Sequence, residues 1–352
     1  MIAEFHAKAL AEIAGVKLVA AYNRSPAKGR DFAAKHGLVF AETPEALLAN
    51  PAVDIVCLCT PSGDHLAPAM ACAQAGKHVV VEKPLEVTLA RCDALTVACD
   101  QAGVTVAGIL PRRFGAGAVA LKAALDAGRF GQLTLAGALI PWWRSQAYYD
   151  SAAWRGTFAL DGGGAVMNQG IHTVDLLLWF LGAPKRVSAT AGLVAHKGIE
   201  VEDIAAGWIE FANGCRATLA SSTACWSATG FPAEIRIHGT TGAAVLRDDK
   251  LTAFEFEKPL PSDASVLAPA TEGGGAGAND PKAIGHAWHR ANLEEAIAAI
   301  REGKQAAVNG AEGRKAVELI LALYQSAQNG GLPVDLPLSG DPVLKKLGKK
   351  GA

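Results

Sequence analysis

The chain has 352 residues, 50% hydrophobic and 19% charged, with Lys+Arg 33 against Asp+Glu 34 for a net charge of -1. At roughly 150 residues per domain that is about two domains, with apolar material for sizeable cores, and it excludes a disordered chain. The balanced charge gives no electrostatic case for a nucleic-acid partner or an anionic membrane surface.

Residues 1–10 read as a helix already under way, with no strand before it. A strand is predicted at 16–22. A helix follows at 25–36, with Ser25 at the N-cap, Pro26 at the first helical position and Gly37 ending it. Residues 53–59 form a buried strand, 65–75 a helix, 78–81 a strand, 89–102 a helix and 104–110 a strand. Short strands separated by such helices indicate a parallel, doubly wound α/β sheet with right-handed crossovers. After Pro111 the segments are longer and alternate in hydrophobicity. Residues 133–140, 186–193, 204–211, 216–224 and 234–238 read as antiparallel strands with one buried face. Helices are predicted at 118–127, 171–181, 288–302 and 312–327. The glycine- and alanine-rich stretch 267–279 reads as an irregular loop, and the lysine-rich tail as frayed.

The seven cysteines include no CxxC pair and sit in runs such as Val56-Cys57-Leu58-Cys59. They read as reduced thiols of a cytoplasmic protein. No apolar run reaches the ~18 residues of a membrane span. No signal-peptide pattern opens the chain.

Four stretches carry candidate chemistry. Glu82-Lys83-Pro84 follows a strand, and ligands of doubly wound sheets sit off the carboxyl ends of strands. Thr60-Pro61-Ser62-Gly63-Asp64-His65 is a second such loop, either an ordinary capped turn or a site where helix amides face a phosphate. The third runs from Asp161-Gly162-Gly163-Gly164 to Asp175. It places Asn168, His172 and Asp175 at i, i+4 and i+7, one face of a helix. An amide, an imidazole and a carboxylate there suit proton transfer at a hydroxyl, or form a satisfied structural cluster. In the fourth, Pro141-Trp142-Trp143-Arg144-Ser145-Gln146-Ala147-Tyr148-Tyr149-Asp150 followed by Trp154-Arg155-Gly156-Thr157 mixes aromatic rings with arginines, as a sugar-binding loop or a packed structural loop would. No metal-ligand spacing is present, so no metal is expected.

Together with Arg112-Arg113-Phe114 and Glu312-Gly313-Arg314-Lys315, these stretches resemble the Gfo/Idh/MocA family of NAD(P)-dependent oxidoreductases, which includes glucose–fructose oxidoreductase and inositol dehydrogenases. The resemblance covers nearly the whole chain. It implies a Rossmann-type NAD(P)-binding domain over 1–110, then a substrate-binding and oligomerisation α+β domain over 111–335 with a large open, mostly antiparallel sheet, and a tail over 336–352. Lys83 would bind the reacting hydroxyl and assist its proton transfer, and the Lys83-Pro84 bond would be cis. His172 would be the general acid/base, oriented by Asp175. Thr60, Pro61, His65, Glu82 and Arg113 would line the cofactor. Tyr149, Trp154, Arg155 and Asn168 would face a small sugar or polyol. A homodimer or homotetramer would form through the open sheet.

Two departures stand out. Many family members carry Asp where this chain has Asn168, and a neutral amide cannot be the base. Members also open with a strand and a Gly-x-Gly-x-x-Gly turn, of which Met1-Ile2-Ala3 matches only the end. By that measure the chain is about ten residues short, with Met1 and Ile2 left at the pyrophosphate and weakened cofactor binding expected. The second strand ends in Asn23-Arg24-Ser25, without the acid that NAD sites place there, so NADP is expected over NAD through Arg24 and Ser25. The predicted function is hydride transfer at a secondary alcohol of a sugar, sugar acid, nucleotide sugar or inositol. The alternatives are a nicotinamide-dependent glycoside-cleaving enzyme and a non-catalytic ligand sensor.

Overall fold

The computed structural model describes residues 2–267 and 285–349. The expectations for Met1, for most of 267–279 and for the end of the tail lie outside the described residues.

Helix α1 (Ile2–Ala11) turns His6, Ala7, Ala9 and Leu10 inward. Strand β1 (Ala20–Ala21) runs parallel to β2 (Val39–Phe40) across α2 (Pro26–His36). Only these two residues of the strand expected at 16–22 are paired. Ser25 takes the N-cap position of α2, but its hydroxyl bonds nothing in the helix; its N–H donates to Asn23 Oδ1 at 2.8 Å. Gly37 closes α2 with φ 67°, which glycine reaches without steric cost.

Then come α3 (Pro44–Leu48), β3 (Ile55–Leu58), α4 (Leu66–Gln74), β4 (His78–Val81), α5 (Leu89–Gln101) and β5 (Val106–Gly108). Strands β3, β4 and β5 form a parallel sheet in that order. Val79, Val80 and Val81 are fully buried, as a central parallel strand covered on both faces requires. The parallel winding is as expected, but the sheet comes in two pieces. Among the described residues no strand pairs with both β1 and β3.

The second half holds α6 (Ala116–Asp126), β6 (Leu133–Pro141), α7 (Gln146–Asp150), α8 (Ile171–Leu181), β7 (Pro184–Gly192), β8 (Ile204–Phe211), β9 (Arg216–Ser222), β10 (Glu234–Gly239), β11 (Gly242–Arg247), β12 (Lys250–Phe256), α9 (Asp263–Val266), α10 (Ala287–Arg301), α11 (Gly310–Gln328) and β13 (Val334–Asp335). Its eight-stranded sheet has the order β12-β11-β10-β6-β9-β8-β7-β13. Every pairing is antiparallel except β6 with β9. Helices α6, α8 and α11 cover one face. There Ile140, Ile209, Ile237, Leu177 and Ile320 are buried, each contributing about 2 kcal/mol. The opposite face leaves Leu135, Leu139, Ile204 and Trp208 exposed.

The tail is not frayed over its described residues. The Asp341 carboxylate accepts the Leu89 and Ala90 N–H groups at 2.5 and 3.0 Å, satisfying donors that open α5. Lys346 reaches Glu200 at 2.5 Å, and Gln328 holds the Lys345 main chain. No helix among the described residues is long and apolar enough to cross a membrane.

Candidate active site

Strand β4 delivers Glu82, Lys83 and Pro84 to its carboxyl end, and the Lys83-Pro84 bond is cis. The half-buried Lys83 ammonium donates to the Asn168 main-chain oxygen at 2.6 Å. Burial draws its pKa below the ordinary lysine value. The Glu82 and Asp161 carboxylates oppose that, and Arg155 and Arg144 reinforce it. Glu82 is buried rather than open to a cofactor. Its Oε1 meets His6 Nε2 at 2.7 Å, and its Oε2 accepts the Lys83 N–H at 3.1 Å. Burial alone would raise the Glu82 pKa, but the bond and charge of His6 outweigh it and hold the carboxyl at about 2. Sequence reasoning missed His6, which carries no motif.

Asn168 and His172 come from one continuous stretch. A π-helical turn, Ala165–Gly170, runs directly into α8. The wider turn presents the Asn168 carbonyl to Lys83. Glycines permit it: a Cβ on Gly164 would lie 1.8 Å from the Glu202 main-chain oxygen. The Glu202 carboxyl then clamps the turn, accepting from Gly164 N, Val166 N and the Tyr324 hydroxyl at 3.0, 2.9 and 2.7 Å. Burial pushes the Glu202 pKa up to about 7 despite those donors.

His172 is half-buried, and its Nδ1 is buried with no hydrogen-bond partner. Burial, then the charges of Lys83, Arg112 and His289, hold its pKa well below the ordinary histidine value. The ring is neutral at neutral pH. Asp175 does not orient it. The Asp175 carboxylate is taken by Arg113, from Nε at 2.9 Å and Nη2 at 2.6 Å, while Arg113 Nη1 donates to Glu312 at 2.9 Å. A carboxylate this deep needs a counter-charge, and the same pairing removes Arg113 from the residues free to line a cofactor.

The loop carrying α7 supplies the other wall. Tyr148, not Tyr149, enters the site. Arg155 Nη1 and Gln169 Nε2 donate to the Tyr148 hydroxyl oxygen at 2.5 and 2.8 Å. The Arg155 guanidinium lies over the Tyr148 and Trp154 rings, 4.1 and 4.6 Å from their centroids. Tyr149, one position on, is buried against Ile199 and Val201 and hydrogen-bonded to Thr223 at 2.8 Å. Gln169 Nε2 also donates to Asn168 Oδ1 at 2.6 Å, and Arg144 Nε donates to Gln169 Oε1 at 3.0 Å. The Asn168 amide donates to the buried Asp161 carboxylate. Burial pushes the Asp161 pKa up to about 6 against the Gly156 and Asn168 bonds. Asp161, Tyr148 and Gln169 were not singled out from the sequence.

The loops after β1 and β3 meet where Arg24 Nη1 approaches Asp64 Oδ2 at 3.3 Å, with the arginine largely exposed and the aspartate half-buried. Thr60 donates to the Asp64 carbonyl at 3.1 Å, Pro61 beside it is half-buried, and Ile2, at the start of α1, is half-buried as well. His65 lines nothing. It is fully buried, with Nδ1 against the Pro84 and Leu85 carbonyls at 3.0 and 3.3 Å and Nε2 against the Thr60 carbonyl at 3.2 Å. It ties the two strand-end loops together. An exposed guanidinium after β1 and an ammonium after β4 fit an anionic dinucleotide laid across the strand ends. Among the described residues no three His, Cys, Asp or Glu side chains gather as a metal ion would need.

Comparison with known proteins gives consistent matches. Residues 1–108 match the family model described as an oxidoreductase family with an NAD-binding Rossmann fold, and residues 118–245 match the GFO/IDH/MocA C-terminal domain. Inositol 2-dehydrogenase of Rhizobium meliloti (strain 1021) is 27% identical over 336 residues, 92% of this chain and 93% of that protein. The structure of the WlbA dehydrogenase from Bordetella pertussis, in complex with NADH and UDP-GlcNAcA, is 29% identical with a TM-score of 0.87, covering 96% of this chain and 95% of that one. The WlbA dehydrogenase from Chromobacterium violaceum, in complex with the same two ligands, is 30% identical with a TM-score of 0.85, covering 96% and 94%.

Proposed function

The chain belongs to the GFO/IDH/MocA oxidoreductase family, and on that premise we propose that it moves a hydride between a nicotinamide dinucleotide and a secondary alcohol of a sugar, sugar acid, nucleotide sugar or inositol. One observation carries the reading. At the carboxyl end of a parallel strand, Lys83 bonds the main chain of the turn that leads into His172, a histidine whose buried Nδ1 has no partner and whose pKa is lowered by burial and then by the Lys83 charge. The inositol dehydrogenase and the two UDP-GlcNAcA complexes among the relatives support this range of substrates.

A bound nicotinamide ring supplies the hydride acceptor or donor. The protein handles the proton. Lys83 Nζ donates a hydrogen bond to the alcohol oxygen and stabilises negative charge as it develops there. Neutral His172 takes the hydroxyl proton, and returns it when the reaction runs as a reduction. The Asn168 amide binds a hydroxyl without taking its proton. Tyr148, Trp154 and Arg155 form the wall against the sugar. Arg113 and Asp175 hold α8 in place.

Arg24 and Ser25, with no acid at the end of β1, support NADP over NAD. The domain division near residue 110 follows the change from parallel to mostly antiparallel pairing. Seven free cysteines are in keeping with a cytoplasmic enzyme. The exposed Leu135, Leu139, Ile204 and Trp208 support self-association through the open sheet; a monomer mass by light scattering would refute that part. The central test mixes the protein with NAD or NADP and a panel of sugars, sugar acids and inositols, and follows the nicotinamide absorbance. No absorbance change with any alcohol would sink the proposal.

A further inference from the structure

Lys83 is held at both ends. Its ammonium reaches the Asn168 carbonyl, and its main-chain N–H donates to Glu82 Oε2 at 3.1 Å. The other oxygen of that carboxylate meets His6 Nε2 at 2.7 Å, with both side chains buried. His6 lies on α1, 76 residues away in the chain. A buried carboxylate without a counter-charge takes up a proton or swings toward water.

The groups facing this pair identify the counter-charge. Cys57 of β3 adjoins the imidazole, and the Cys59 thiol, beyond the end of the same strand, adjoins the carboxylate, with burial keeping it protonated. His289 of α10 lies with its ring 6.2 Å from that of His6, but burial lowers its pKa. The Lys83 ammonium is engaged at Asn168. His6 is the cation in contact with Glu82. Burial works against its charge, but the neighbouring Cys57 and the bond and charge of Glu82 prevail and hold it protonated to about pH 10; its other ring nitrogen, Nδ1, has no hydrogen-bond partner.

We propose that His6 is a positioning residue for Lys83: by pairing with Glu82 it fixes the carboxylate that carries the Lys83 main chain and stands beside its ammonium. The inference rests on Lys83 as the proton-handling group proposed above. It makes α1 and the reacting lysine one mechanical unit.

The test needs no substrate. The full-length protein is labelled with acetic anhydride across a pH series, and acetylation of Lys83 is quantified by peptide mass spectrometry. The labelling midpoint reports how the ammonium titrates. In Glu82→Gln the neighbouring negative charge is gone, so the midpoint falls by about one pH unit. In His6→Gln the stranded Glu82 becomes protonated, so the midpoint falls by the same amount. The double variant falls no further, because both changes remove one interaction. An unchanged midpoint in either folded variant, or additive shifts, overturns the proposal. Should His6→Gln lose its fold by circular dichroism, His6→Lys replaces it. That variant keeps the charge and holds the wild-type midpoint; a midpoint that falls with Glu82→Gln overturns the proposal. Absence of hydride transfer in the sugar panel would sink the function while leaving this result intact.

Discussion

Arg113 grips Asp175 through two nitrogens, at 2.6 and 2.9 Å, in a pocket that admits almost no water. The pair fastens the helix that carries His172 to the loop after β5. Asp175→Asn leaves the guanidinium with only Glu312, and is expected to cost about 3 kcal/mol of stability. Urea unfolding checks this. A loss below about 0.5 kcal/mol would contradict the assignment.

Lys83→Ala and His172→Ala are each expected to lower turnover by roughly 10²- to 10⁴-fold while melting near the wild-type temperature. Steady-state rates with the best alcohol of the panel, read beside circular dichroism, decide it. Near-normal turnover in both variants rules out the proton-handling roles.

The neighbouring tyrosines separate function from packing. Tyr148→Phe removes the oxygen shared by Arg155 and Gln169 and is expected to reduce kcat/KM about tenfold with little change in stability. Tyr149→Phe loses its Thr223 partner and is expected to cost about 1 kcal/mol of stability with kcat/KM nearly unchanged. The reverse pattern would restore Tyr149 as the substrate-facing residue.

Glu202 gives a pH signature. Its folded pKa, about 7, lies above the ordinary glutamate value of 4.5. The fold therefore favours the protonated form. That contribution is complete below the ordinary value and is lost as pH rises through about 7. Glu202→Gln cannot ionise, and it turns an amide N–H toward a cluster of donors, costing about 1–3 kcal/mol. The stability gap between wild type and Glu202→Gln is expected to narrow from about pH 5 to about pH 8. A constant gap in urea titrations would show that Glu202 does not titrate there.

Arg24→Gln is expected to weaken NADP binding roughly tenfold relative to NAD, because the exposed guanidinium is the charge available to a 2′-phosphate. Fluorescence titration with each cofactor measures it. Tighter NAD binding by the unaltered chain would overturn the NADP preference directly.

Periodicity located the elements well where side-chain patterning is strong. Helix α8 lies where expected because leucines fill its inner face. Strands β11 and β12 were missed because Gly242, Ala243 and Ala244 give β11 little alternation and the adjacent Ala253 and Phe254 interrupt that of β12. Local motifs found Lys83, Asn168 and His172. Spacing put Asp175 on the His172 face and the resemblance paired the two, but helical phase says which side a residue faces and not which partner waits there; the partner the structure gives Asp175 is Arg113, 62 residues away. Tyr148 and Tyr149 are adjacent and chemically identical, so only the turn of α7 decides which enters the site. His6 reaches the site through a tertiary contact and leaves no local signal; Asp161 opens the glycine-rich stretch, but nothing local says that Asn168 donates to it.

The bond from Lys83 to Asn168 ends on a main-chain oxygen. No substitution at position 168 can take that acceptor away while the turn persists. A carboxylate in place of that amide would meet the buried Asp161 carboxylate and alter what the floor of the site recognises, while the lysine keeps its acceptor. Specificity and proton handling can thus evolve on separate schedules from neighbouring atoms of one residue.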